Sequence, residues 1–133
     1  MTDEQTPLRA LLLLADNQAN EPHKDLQWPR SYNFIAQAMH KIAKEHGFWD
    51  KDRNDGEAIA LIHSELSEAL EALRHGNPPS KAIPQVSQVE EELADVIIRI
   101  MDLAVARGWN IADAVILKGM YNKGRPMKHG KGF

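Results

Sequence analysis

The stretch LIHSELSEALEALR, residues 61–74, carries apolar residues at three- and four-residue spacing with no glycine or proline, so it reads as an amphipathic helix and not as a strand. At about 100° per residue, with Leu61 set at zero, Glu65 falls at about 40°, Ala58 at about 60°, Ala69 at about 80° and Ile62 at about 100°. Leu66, Leu73 and Leu70 carry the apolar arc on to about 180°. Glu65 therefore lies inside the apolar arc, and Glu68 lies on its edge at about 340°, beside Ala72. A carboxylate on a core face needs a partner, because burying an unpaired ion costs several kcal/mol.

A second helix repeats the theme. Ser87 followed three positions later by Glu90 is a capping box, and the apolar period then runs to Arg107 with Gly108 as the stop. With Glu92 at zero on its own wheel, Val96, Val89, Ile100, Leu93, Ala104 and Ile97 span about 40° to 140°. Glu92 sits at the edge of that face, Asp95 about 60° further round at about 300°, and Arg99 between them at about 340°. Residues three apart are helix neighbours, so Glu65/Glu68 and Glu92/Asp95 are two carboxylate pairs. If the two helices pack face to face, four carboxylates converge. Four like charges in one place require a cation among them, and hard oxygen ligands select Mg²⁺, Mn²⁺ or Ca²⁺ over softer metals. The competing reading is ordinary pairing: Asp95 with Arg99 at i,i+4, and Arg74 with Glu71 or Glu68.

The rest of the chain punctuates into further helices. Pro7 opens a leucine-rich run to about Asn17, and residues 19–30, with two prolines and no period, read as a connector. Ser31 is placed to cap a helix bearing Phe34, Ile35, Ala38, Met39, Ile42 and Ala43, ended by Gly47. Asn54 or Asp55 caps the helix that contains residues 61–74, and GNPPSKAIPQV is a loop because it holds three prolines. Asn110 with Asp113 begins a last helix ending near Gly124 and Pro126, followed by a tail. No stretch alternates as a half-buried strand must. The expectation is an all-α fold: one domain, an antiparallel bundle of four to five helices over residues 31–133, with residues 1–30 as an N-terminal helix or arm.

Length and composition agree. The 133 residues, 43% hydrophobic and 26% charged, suit one globular domain with a modest core. No apolar run is long enough for a membrane span, and Asp3 and Glu4 stand where a signal peptide would be basic. The absence of cysteine removes thiolate metal sites and fits a reducing, cytoplasmic setting. The net charge is −3, but no acidic residue follows Asp113, while Lys118, Lys123, Arg125, Lys128 and Lys131 do; the body therefore carries −8 against the tail's five positive charges. Such asymmetry suits an anionic partner, or contact between tail and body.

Glu65-x-x-Glu68, a spacer of 23 residues and Glu92-x-x-Asp95 together resemble the signature of the MazG-like nucleotide pyrophosphohydrolases, within the all-α NTP pyrophosphatase superfamily. GEAIALIHSELSEALEALRHG, EEELADVIIRIMDLA and KGMYNKGRPMKHGKGF all read like members of that family, and the resemblance covers about residues 47–133. It implies a helical, homodimeric or homotetrameric enzyme, with active sites drawing on more than one subunit. The implied reaction is Mg²⁺-dependent hydrolysis of the α–β phosphoanhydride of a (deoxy)nucleoside triphosphate to a monophosphate and pyrophosphate, with nucleotide-pool cleansing as the usual theme. Glu65, Glu68, Glu92 and Asp95 would be the metal ligands and catalytic carboxylates, with Mn²⁺ as a substitute metal.

The last helix supplies cations. Lys118 and Asn122 are i,i+4 and Arg125 is i+7, so they share a face if the helix persists that far; Gly124 would otherwise leave Arg125 on a loop. With Lys123 they are the candidate substrate-binding residues, arginine offering forked contacts to phosphate. A solvated basic end that complements the helix dipole is the plainer alternative. Trp49, Phe48 and Trp109 suit core or interface positions better than base stacking. His63 reads as a surface or interface residue, and His129 falls in the basic tail. A di-iron bundle is disfavoured because the chain has no Glu-x-x-His. The alternative outside enzymology is a helical binding module that holds nucleic acid through its basic tail, which the acidic body disfavours.

Overall fold

The structure, a computed structural model, describes residues 27–132. These form four α-helices: α1 (Gln27–Glu45), α2 (Asp55–Arg74), α3 (Gln88–Arg107) and α4 (Ile111–Lys123), followed by a short 3₁₀ turn, Met127–Gly130. Among the described residues there is no strand beyond one isolated antiparallel bridge, Pro79 with Ser87, and no helix is long and apolar enough to cross a membrane. The helix expected after Pro7, and most of the N-terminal arm, lie outside the described residues.

The helix ends follow from their caps. Asn54 accepts from the Glu57 amide at the start of α2, and Asn110 accepts from the Asp113 amide at the start of α4. Ser87 and Glu90 form the full reciprocal box on α3. Gly47 at φ 83° and Gly108 at φ 71° take the left-handed turn that ends α1 and α3, a conformation in which a Cβ is strained. Two boundaries differ from expectation. Helix α1 already includes Gln27–Arg30, so Ser31 is not its cap; Pro29 falls in the first turn, where its missing N–H would have no helical acceptor. Helix α4 ends at Lys123, leaving Arg125 in the turn beyond, with its amide on the Asn122 carbonyl.

Helices α2 and α3 form the largest interface, and α1 packs on α3. The pair α2–α3 is antiparallel: Arg107 at the end of α3 bonds Asp55 at the start of α2, while Gln88 at the start of α3 shares a cavity wall with Ala72 near the end of α2. The buried stripe of α2 is Ala58, Ile62, Glu65, Ala69 and Ala72. It is narrower than the arc read from sequence. The large residues Ile59, Leu66, Leu70 and Leu73, on the adjoining side of the wheel, stay exposed. Small side chains let two helix backbones approach, so the alanine side takes the seam and the leucine side is left over. The 77–87 loop is tied down despite its prolines: buried Ser80 accepts from the Ala82 and Ile83 amides, and Asn77 accepts from the Val89 amide.

The connection from α1 to α2 is clasped to α3. Trp49 packs against the Ala58–Ile62–Leu103 cluster and donates its Nε1–H to Asp102 at 2.8 Å. Arg53 and Arg107 stand over its ring at 5.1 and 5.6 Å. His40 Nδ1 lies 2.7 Å from the same Asp102 oxygen, and Arg53 Nη1 lies 3.5 Å from the other. Replacing Asp102 with Ala would strand a half-buried indole N–H and is expected to cost about 1–3 kcal/mol, read as a fall in urea midpoint at unchanged slope.

Candidate metal and phosphate site

The α2–α3 seam brings together residues 27 positions apart in sequence. Glu65, Glu68 and Glu92 each offer an oxygen, and the three lie within 4.8 Å of one another. Glu65 is buried, Glu92 half-buried and Glu68 exposed, so the group opens from the seam toward solvent. Glu65, only 6% exposed, sits mid-stripe among alanines, where the wheel placed it. Its ion-pair partner is Arg99, reaching across from α3. The competing reading paired Arg99 with Asp95; the ion pair formed is instead with Glu65 across the seam, although the Arg99 charge still acts on Asp95.

Asp95 is not in the group of three. It lies about 60° round α3 from Glu92 and lines a cavity of about 370 Å³ walled by α1, α3 and Ala58 of α2, with the charges of Glu65 and Glu68 still reaching it. Met39, Ile42, Ala43 and Phe48 line that cavity on one side, and Arg53, Asp95, Arg99 and Asp102 supply its polar wall. Four converging carboxylates were expected; three converge, and the fourth borders the neighbouring space.

Charge crowding has a titration consequence. Burial, then the charges of Glu68 and Glu65, push the Glu92 carboxyl up to about 7. Burial and Glu65 also raise Asp95, against the opposing charge of Arg99. The donor set fits a hard divalent cation, with three carboxylate oxygens within reach of one point.

The basic residues lie on and just after another helix. Helix α4 packs on α1, where the Trp28 Nε1–H also donates to the Ala112 carbonyl. Lys118 Nζ lies 4.6 Å from the Tyr121 ring centre and the Arg125 guanidinium 5.7 Å from it, so both flank that ring. Asn122 is half-buried and Lys123 exposed. The Asn122 side-chain oxygen is buried with no hydrogen-bond partner. Val115, Ile116, Leu117, Met120 and Tyr121 are all exposed, Met120 to 70%. His63 is exposed, as expected, and Arg74 pairs with Glu71. Trp49 belongs to the core, while Phe48 and Trp109 are exposed. Sequence reading missed Asp102. Its signal was the i+7 spacing from Asp95, which puts both acids on one side of α3.

Comparison with protein-family models, with curated proteins and with solved structures finds no match to this chain.

The raised Glu92 sets a sign for stability. Its folded value of about 7 lies above the ordinary 4.5, so the folded state holds a proton that the unfolded chain releases between those values. In EDTA, stability is therefore expected to fall as pH rises from about 4.5 to 7, and Glu92→Gln to flatten that slope, by urea unfolding across the range.

Proposed function

We propose that this chain is a Mg²⁺-dependent nucleoside triphosphate pyrophosphohydrolase of the MazG-like type, adding water across the α–β anhydride to give a nucleoside monophosphate and pyrophosphate. The observation that carries the reading is the meeting of Glu65 and Glu68 with Glu92, residues from both halves of the acidic signature, on a seam whose other buried α2 residues are apolar. Glu65, Glu68 and Glu92 would hold the metal. Asp95, next along the signature and within the field of Glu65 and Glu68, would hold a second ion or orient the attacking water. Bound Mg²⁺, with Mn²⁺ as a substitute, supplies neutralisation of the polyphosphate and a lowered pKa for water.

The chain's own groups divide the remaining work. The cavity beside Asp95 has an apolar wall from α1 and a polar wall from α3, and its volume suits a nucleoside. Lys118, Lys123 and Arg125 would neutralise phosphate oxygens and Asn122 would contact sugar or base, but the helix that carries or precedes them packs on α1. A second copy would bring them to the acidic site and would cover the bare apolar surfaces of α2 and α4, giving the homodimer or homotetramer that the resemblance implies. A cytoplasmic nucleotide-cleansing role belongs to the same reading.

Purified protein with Mg²⁺ and a panel of nucleoside and deoxynucleoside triphosphates is expected to yield pyrophosphate and monophosphate; orthophosphate as first product would exclude cleavage at this bond. Removing a ligand costs at least as much as removing a residue that supports one, so Glu68→Gln should lower kcat/KM by about 100-fold or more.

Lys118→Ala should raise KM or lower kcat while Mn²⁺ affinity holds. Mixing it with the Glu68→Gln protein should restore activity by pairing one intact acidic site with one intact basic helix. Absence of such restoration would confine Lys118 to its own protomer.

A further inference from the structure

The Glu65–Arg99 contact does more than neutralise a buried acid. Glu65 is 6% exposed, whereas the Arg99 side chain is 37% exposed, so the pair has one fixed member and one with room to move. Arg99 also borders the cavity that holds Asp95, so its guanidinium stands between that space and the three-carboxylate group.

A single guanidinium cannot neutralise three carboxylates, and it competes with any cation for Glu65. Even if the cation took the other Glu65 oxygen, two positive charges across one carboxyl group would repel at short range. The displaced guanidinium has two places to go. Asp95 is one, four residues back on the same helix and already under its field. The other is the polyphosphate entering beside it, whose oxygens suit the guanidinium fork and carry more charge.

We propose that Arg99 is the internal counter-ion of Glu65 until a divalent cation takes that carboxylate, and then carries its guanidinium to the phosphates of the bound nucleotide. This rests on the metal-dependent reading of the site and adds a residue to it. Arg99 thereby couples the two binding events: the metal frees the arginine, and the arginine then favours the nucleotide.

The test titrates metal-free protein with Mn²⁺ by calorimetry, and then titrates Mn²⁺-saturated protein with an α,β-methylene nucleoside triphosphate. Arg99→Gln is expected to bind Mn²⁺ on the order of tenfold tighter and the analogue on the order of tenfold weaker. Lys81→Gln controls for loss of a nearby charge, since Lys81 borders the space shared by Glu68 and Glu92, and it should reproduce neither change. Should Arg99→Gln fail to fold, Arg99→Met, which keeps the length and loses the charge, is expected to shift both affinities with the same signs. Unchanged Mn²⁺ affinity, equal tightening in Lys81→Gln, or unchanged analogue affinity overturns the proposal. Wild-type protein that binds no Mn²⁺ removes instead the metal-dependent reading beneath it.

Discussion

A carboxylate stands on the packing stripe of a helix where its neighbours are Ile62 and alanines, and the architecture of the site follows from how that charge is met. Glu65 is held where water has little access, so the opposing helix must bring a cation to it, and Arg99 does so. The narrowness of the seam makes this possible. Ala58, Ala69 and Ala72 on α2 and Ala104 on α3 are buried and small, so the two backbones approach closely enough for Glu65 and Glu68 to share a point with Glu92. Bulkier residues along that stripe would have held the helices apart and left three separate surface acids.

The backbone plan was legible because caps act locally. Asn54, Ser87 with Glu90, Asn110, Gly47 and Gly108 each do what their side chain, or lack of one, dictates within a single turn. The burial of Glu65 was legible for a similar reason: helical periodicity alone placed it among apolar neighbours. The start of α1 was not, because a proline in a first turn looks the same in sequence as a proline in a connector.

Relations between helices were harder to read. Hydrophobicity ranks leucine above alanine, so the wheel gave α2 one broad apolar arc. Close approach selects by size, and it split that arc into a buried alanine side and an uncovered leucine side. Arg99 was read against Asp95 because a wheel shows only neighbours on the same helix; its partner came from the helix opposite. Asp95 and Glu92 are close in sequence, yet a rotation of about 60° sends one toward α1 and the other toward α2. Lys118 on α4 and Arg125 just beyond it both flank Tyr121, but no pattern within one chain says what they meet.

The Asp102 clasp adds a constraint of its own. One carboxylate fastens His40 on α1, Trp49 on the connecting segment and Arg53 just before α2. Two of the four, Arg53 and Asp102, also line the cavity beside Asp95, so part of the wall of that space and the bolts of the scaffold are the same side chains. Evolution cannot retune the shape of such a chamber one side chain at a time. New ligand preferences would have to come from its loose wall, Met39, Ile42 and Phe48, which carry no hydrogen-bonding duty in holding the helices together.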